Sequence, residues 1–325
     1  MPNAILVHET GGPEKLRYEP VEVGEPGPGQ ARVRHTAIGI NYIDTYHRSG
    51  LYALPSLPHG IGMEAAGVVE AVGSGVADLR AGQRVAYGSG APGAYAEARV
   101  MAADRLVPLP DDIDDVTAAA MMLKGMTAEY LIQRCFPVKR GQTVLWHAAA
   151  GGVGLIACQW LSSLGVTVIG TVGSDEKAEL ARAHGATHTI VYTKEEFPAR
   201  VRELTGGRGV PVVFDSVGRS TFAGSLDCLE PLGMMVGFGN ASGKPDPFDM
   251  GILAQKGSLY LTRPTLMTYT AKREDLLASA NALFDVVRRG VVRIEVNQRW
   301  PLAEAEKAHR ALEARETTGS SVLVV

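Results

Sequence analysis

The sequence predicts an α/β protein built from a doubly wound parallel sheet and a smaller all-β, barrel-like domain. Three observations carry this. Residues 123–265 alternate short apolar strands with helices, residues 1–122 set short strands between glycine- and proline-rich turns, and residues 266–325 are too few for a domain of their own. The last stretch is expected to return to the first, giving one domain from 1–122 plus 266–325 and a second from 123–265.

In the first region the runs Ala31–Ala37, Ala66–Val72 and Arg84–Tyr87 read as strands, and no long helix is expected. Gly24-Glu25-Pro26-Gly27-Pro28-Gly29 and Gly73-Ser74-Gly75 separate them as turns. The middle region reads as strands Thr143–His147, Val166–Thr171, His188–Tyr192, Pro211–Asp215, Met234–Phe238 and Ser258–Leu261. Helices Val153–Leu164, Asp175–His184, Glu195–Thr205 and Ser220–Leu229 join them. Gly165, Gly185 and Gly206 stand where a left-handed helix end is wanted, and Asp175 and Glu176 suit the positive end of a helix dipole. The tail reads as a helix Glu274–Arg289, a strand near Ile294–Trp300, a helix Glu304–Arg315 and an apolar end Val322–Val325.

Composition closes off other classes. The chain has 325 residues, 46% of them hydrophobic, which excludes disorder, and its 38 glycines follow no collagen period. Net charge is −3, with 32 basic residues scattered among 35 acidic ones, so neither a nucleic-acid nor a membrane-surface partner is expected. Met1–Val7 lacks the regions of a signal peptide and no apolar run is long enough to span a bilayer, so a cytoplasmic location is expected. Cys135, Cys158 and Cys228 are too few and too scattered for a disulfide framework or a clustered metal site.

The strand Thr143–His147 runs into Ala148-Ala149-Ala150-Gly151-Gly152-Val153-Gly154 and then an apolar helix. Such a turn lets backbone approach a pyrophosphate seated on the helix N-terminus, although alanine (Ala149) stands where the dinucleotide fingerprint has its first glycine. The end of the second strand selects the nucleotide. An NAD site usually places a carboxylate there, whereas this chain has Gly173 and Ser174, with Lys177 just beyond and Tyr192 ending the third strand. Lys177 suits a 2′-phosphate, so NADPH is the expected cofactor; Asp175 leaves open a contact to a ribose instead.

These residues resemble the medium-chain dehydrogenase/reductase superfamily, and within it the quinone oxidoreductases related to ζ-crystallin. The resemblance spans essentially the whole chain. It is carried by Gly39-Ile40-Asn41-Tyr42-Ile43-Asp44-Thr45-Tyr46, Arg48–Tyr52, Gly62-Met63-Glu64-Ala65-Ala66-Gly67, Lys124–Ala128, Gly141–Ser162 with Gln159, Asp215–Gly218, Phe238-Gly239-Asn240 and Gln255–Tyr260. It implies a GroES-like catalytic domain, a Rossmann domain, and substrate bound between them. It also implies that Asn41, Tyr46, Tyr52 and Thr127 face the substrate. Asn41, Lys124, Thr127, Tyr130, Gly152, Val153, Ser216, Phe238, Gly239, Asn240 and Arg315 are implied to meet the cofactor, with Lys124 and Thr127 near the start of an inter-domain helix. Asp44 either orients a tyrosine or caps a helix.

Zinc dehydrogenases of the same superfamily carry a catalytic cysteine and histidine where this chain has Asn41 and Met63, and the four-cysteine structural lobe is absent. No zinc is therefore expected. Without a Lewis acid to hold an alkoxide, the chemistry narrows to conjugated acceptors, whose anion after hydride arrival is delocalised. The expectation is NADPH-dependent reduction of a small quinone. The alternatives are reduction of an α,β-unsaturated aldehyde or ketone, and a non-enzymatic crystallin-like or nucleic-acid-binding role. A homodimer is expected through the apolar edge strand Gly257–Leu261.

Overall fold

Alternating side chains make strands of the N-terminal runs, and apolar burial closes them into sheets. The computed structural model describes residues Met1–Val325. They cluster as one unit of Met1–Met126, Tyr269–Arg288 and Ile294–Val325 and another of Thr127–Thr268 with Arg289–Arg293. The first unit begins with β1 (Asn3–Val7), β2 (Leu16–Pro20), β3 (Gln30–Ile40), α1 (Tyr42–Ser49), β4 (His59–Gly60) and β5 (Glu64–Val72). It continues with β6 (Arg84–Tyr87), β7 (Ala98–Ala102), β8 (Val107–Pro108) and the start of α2 (Asp115–Tyr130).

α2 corrects the expectation that this region lacks a long helix. Ala118, Ala119, Ala120, Met121 and Met122 are all fully buried, so this stretch of the helix shows no polar stripe in the sequence. Lys124 and Thr127 consequently lie in its second half, not near its start.

The second unit contains β9 (Thr143–Trp146), α3 (Gly152–Ser163), β10 (Thr167–Val172), α4 (Asp175–Ala183), β11 (His188–Val191) and α5 (Phe197–Leu204). Next come β12 (Val210–Asp215), α6 (Phe222–Cys228), β13 (Leu229–Gly237), α7 (Gly251–Gln255) and β14 (Tyr260–Thr262). All six strands are parallel, in the order β11-β10-β9-β12-β13-β14. The order reverses at β9, so the carboxyl ends of β9 and β12 flank the crevice where doubly wound folds bind ligands. Leu145, Ile169, Ile190 and Val213 form its core, and Gly165 and Gly185 end α3 and α4 at φ +74° and +94°.

After α8 (Leu266–Tyr269), α9 (Arg273–Arg288), β15 (Val296–Pro301) and α10 (Ala305–Glu313), the chain ends in β16 (Ser320–Val324). β16 pairs antiparallel with β3, Leu323 opposite Ile38, in the order β15-β16-β3-β5-β6-β8. Residues 289–293 stay with the second unit because the Gln159 amide clasps the Arg293 backbone, donating to its carbonyl at 3.0 Å and accepting its N–H at 2.9 Å.

Candidate functional site

In the second unit the turn after β9 is built by backbone contact. Ala148 takes φ +54°, and Gly151 forms an extended N-cap for α3 with no side chain capping it. The first-turn N–H groups of α3, those of Gly152, Val153 and Gly154, thus have no side-chain cap. A Cβ on Gly154 would stand 2.4 Å from the Ala148 carbonyl oxygen, so helix and turn are pressed backbone to backbone. The alanine in the fingerprint also has its reason. A Cβ on Gly170 of β10 would lie 2.6 Å from the Ala149 methyl, so the glycine facing Ala149 makes room for it.

At the end of β10, Gly173 lies under the Tyr192 ring, where an added Cβ would stand 2.8 Å from the hydroxyl. Ser174 caps α4, its Oγ accepting the Lys177 N–H at 3.3 Å. Asp175 is exposed and ion-paired with Lys194, so its charge is met by a neighbouring lysine. Lys177 stays half-buried on the first turn of α4.

A buried network stands behind the turn. His147 Nδ1 meets Thr171 Oγ1 at 2.8 Å and Nε2 meets Ser225 Oγ at 2.9 Å. Ser225 donates at 3.3 Å to Asp215, which also accepts Thr221 Oγ1 at 2.7 Å and the N–H groups of Val217 at 2.6 Å and Gly218 at 3.1 Å. Burial lowers the His147 pKa, opposed by the Asp215 charge. Three strand ends, β9, β10 and β12, are tied together here. Ser216 and the loop after β13 are laced together: Phe238 N–H donates to the Asp215 carbonyl at 2.7 Å and Ala241 N–H to that of Ser216 at 3.1 Å. Asp215, Gly218, Phe222, Gly239, Asn240 and Phe248 line part of a cavity of about 530 Å³ at these strand ends. Thr127 and Tyr130 are buried in the α2 segment of this unit.

In the first unit, Asn41 caps α1 in a capping box with Asp44, whose Oδ2 accepts the Asn41 N–H at 2.8 Å. The Asn41 Nδ2 donates to Glu64 Oε2 at 2.8 Å, and Lys124 Nζ donates to the same oxygen at 2.9 Å. Asn41 and Lys124 are thus joined through Glu64. Tyr46 and Tyr52 meet edge to face at 5.2 Å, the Tyr52 N–H donating to the Tyr46 carbonyl at 3.1 Å. Arg315 is exposed just beyond α10, at φ +61°.

Asp44 does both things open to it, although the tyrosine it holds is Tyr95, whose hydroxyl donates to Oδ2 at 2.9 Å. Tyr95 Oη also meets His309 Nε2 at 3.0 Å, and Arg48 donates to His309 Nδ1 at 2.9 Å while forking onto Glu313 at 2.7 and 3.0 Å. Burial pushes the Asp44 carboxyl up to about 7 and His309 down to about 3. Sequence reasoning placed His147 and Asp215 at strand ends and gave no role to Glu64 or to the Asp44–Tyr95–His309–Arg48 chain. A signal did exist for Glu64: one charge inside the apolar run Ile61–Ala66 calls for a buried partner. No three His, Cys, Asp or Glu side chains gather where they would hold a metal ion.

Two family models match the chain, one described as a zinc-binding dehydrogenase over residues 152–278 and one as an alcohol dehydrogenase GroES-like domain over residues 27–111. The chain is 57% identical over 314 residues to a quinone oxidoreductase of Pseudomonas aeruginosa, with 97% of each protein covered. The crystal structure of Escherichia coli quinone oxidoreductase complexed with NADPH superposes with a TM-score of 0.98 at 48% identity, covering 99% of this chain and 100% of that one. A 2-haloacrylate reductase of a Burkholderia species is 47% identical over 330 residues, 99% of this chain and 98% of its own.

Proposed function

The chain belongs to the quinone oxidoreductases of the medium-chain dehydrogenase/reductase superfamily, with a GroES-like and a Rossmann-type domain, and from that premise we propose that it reduces small quinones with NADPH. The observation that carries the reading is an uncapped α3 N-terminus beside a β10 end whose nearest carboxylate, Asp175, is already paired with Lys194. Bound NADPH supplies the hydride. The N–H groups of Gly152, Val153 and Gly154 would hold its pyrophosphate, and Ser174 and Lys177 its 2′-phosphate, with Gly173 leaving space beneath Tyr192. Ser216, Phe238, Gly239 and Asn240 would line its path along the strand ends, with Thr127, Tyr130 and Arg315 as further contacts.

On the acceptor side, Tyr46 and Tyr52 are proposed to supply aromatic surface for a flat conjugated ring. Asn41 orders the site rather than ligating a metal, because its Nδ2 donates to a carboxylate. With Met63 buried as well, the reaction is proposed to run without zinc. A second reading, reduction of an α,β-unsaturated carbonyl compound, is favoured by the likeness to a 2-haloacrylate reductase, since hydride arrival there also leaves a delocalised anion.

NADPH oxidation with 1,4-benzoquinone and with a 2-alkenal, each in chelator, tests both readings. Turnover with the quinone in chelator is expected. Turnover with the alkenal alone would favour the second reading, and loss of turnover in chelator would overturn the zinc-free mechanism. The protein is further proposed to be cytoplasmic and to form a homodimer through β14, whose Tyr260 and Leu261 are 58% and 38% exposed at the open end of the sheet. Sedimentation at micromolar concentration is expected to give a dimer, and a monomer would refute it.

A further inference from the structure

The Glu64–Lys124 ion pair is satisfied on one side only. Glu64 is fully buried and its carboxylate takes three donors: the Leu123 N–H on Oε1 at 2.8 Å, and Lys124 Nζ at 2.9 Å and Asn41 Nδ2 at 2.8 Å on Oε2. Lys124 is 5% exposed, and Glu64 takes one of its three N–H donors. The other two meet no acceptor in the chain. A second unspent donor lies close by. Gly88 is pressed on the backbone of Leu123, where an added Cβ would stand 2.4 Å from the nitrogen, and the next residue, Ser89, is buried with an unpartnered Oγ.

Buried donors without acceptors carry a desolvation cost that a ligand oxygen removes. A saturated carboxylate behind an unsaturated ammonium also fixes the direction in which positive charge is offered, before any ligand arrives. We propose that Lys124 is a catalytic residue that binds the acceptor oxygen on which negative charge collects after hydride arrival, with Glu64 as its positioning residue. The inference rests on the NADPH-dependent quinone reduction proposed above, and it separates Lys124 from the residues that hold the cofactor. In a quinone the oxygen concerned is the one that becomes a phenolate. The ammonium interacts weakly with a neutral carbonyl and strongly with the oxyanion, so its contribution falls on kcat rather than on binding.

Steady-state kinetics with NADPH and a series of substituted 1,4-benzoquinones test this in the wild type, Lys124→Met and the double variant Lys124→Met/Glu64→Gln. Lys124→Met is expected to lower kcat about 10²–10³-fold, as loss of one oxyanion donor does. The KM for NADPH should stay within about twofold, because the lost interaction belongs to the transition state. The loss should grow along the series as the product phenolate becomes more basic. The double variant leaves no lone buried carboxylate, so it reports even where the single variant folds poorly, and it should show the same loss in kcat. A raised KM for NADPH with kcat kept would make Lys124 a cofactor contact. An unchanged kcat in the double variant, or a loss uniform across the series, would make the pair structural; each of these overturns the inference alone. A wild type inert toward every quinone would instead overturn the function on which it rests.

Discussion

Lys177 sits on the first turn of α4, its N–H on the Ser174 hydroxyl, while the neighbouring Asp175 is paired with Lys194. The sequence leaves both Asp175 and Lys177 open as nucleotide contacts, because they are only two residues apart and suit opposite ligands. With Asp175 paired to Lys194, the lysine is the residue we propose for a 2′-phosphate. Lys177→Ala is expected to weaken NADPH binding by about 1.5–3 kcal/mol, the range for a hydrogen bond to a charged group. NADH binding should barely change. Fluorescence titration with both nucleotides measures the difference, and equal losses would remove the 2′-phosphate role. Lys177 is proposed from its place after a strand, whereas the pairings of Glu64 and His147 have no such local sign. Their meaning lies in partners 60 and 78 residues away, Lys124 and Ser225, which local pattern does not reveal.

Short apolar runs bounded by turn residues were easier to read than a helix buried along most of its length. Arg84–Tyr87 is expected and found with the same bounds, and six strands appear in the middle region as anticipated. Each repeats apolar residues between turn glycines, and helices such as α4 show a polar outer face. α2 escaped because Ala118–Met122 meet no water and leave no helical stripe. The short α7 escaped because five residues carry too little pattern. At the turn after β9 the packing dictates the residue as well as the element, since Gly154 has no room for a side chain. Gly154→Ala would put a methyl against two backbone carbonyls, at 2.4 Å from Ala148 and 2.6 Å from Ala149, neither of which can swing away. The variant is expected to lose about 1–3 kcal/mol of stability through overpacking. It should also bind NADPH more weakly, because α3 must retreat from the turn that presents its N–H groups. Urea unfolding and cofactor titration check the two effects, and a variant with both unchanged would mean that the turn yields freely.

Across the whole molecule, buried titratable groups couple stability to pH in opposing directions. Burial pushes His35 and His47 down to about 4 and His309 to about 3, so the fold holds them neutral. In the unfolded chain they titrate near 6.5, so below that pH the unfolded state binds protons that the native state refuses. Stability from these residues is complete above pH 6.5 and is lost as the pH falls toward 4. Asp44 acts in the reverse sense. Burial raises its folded pKa to about 7, against roughly 3.9 in an open chain. Its proton favours the fold at low pH, and that contribution fades as the pH rises through 7. The histidines outnumber it, so the protein is expected to weaken in acid, with Asp44 flattening the fall. Asp44→Asn keeps an oxygen to accept from Tyr95 and Asn41 but does not titrate, so the variant should lose the flattening. Denaturant unfolding from pH 8 to pH 4 should then show a steeper fall than the wild type, by on the order of 2–4 kcal/mol. An identical pH profile in the two proteins would mean that Asp44 is already ionised at pH 4 in the native state, and that the Asn41 N–H and Tyr95 hydroxyl outweigh its burial.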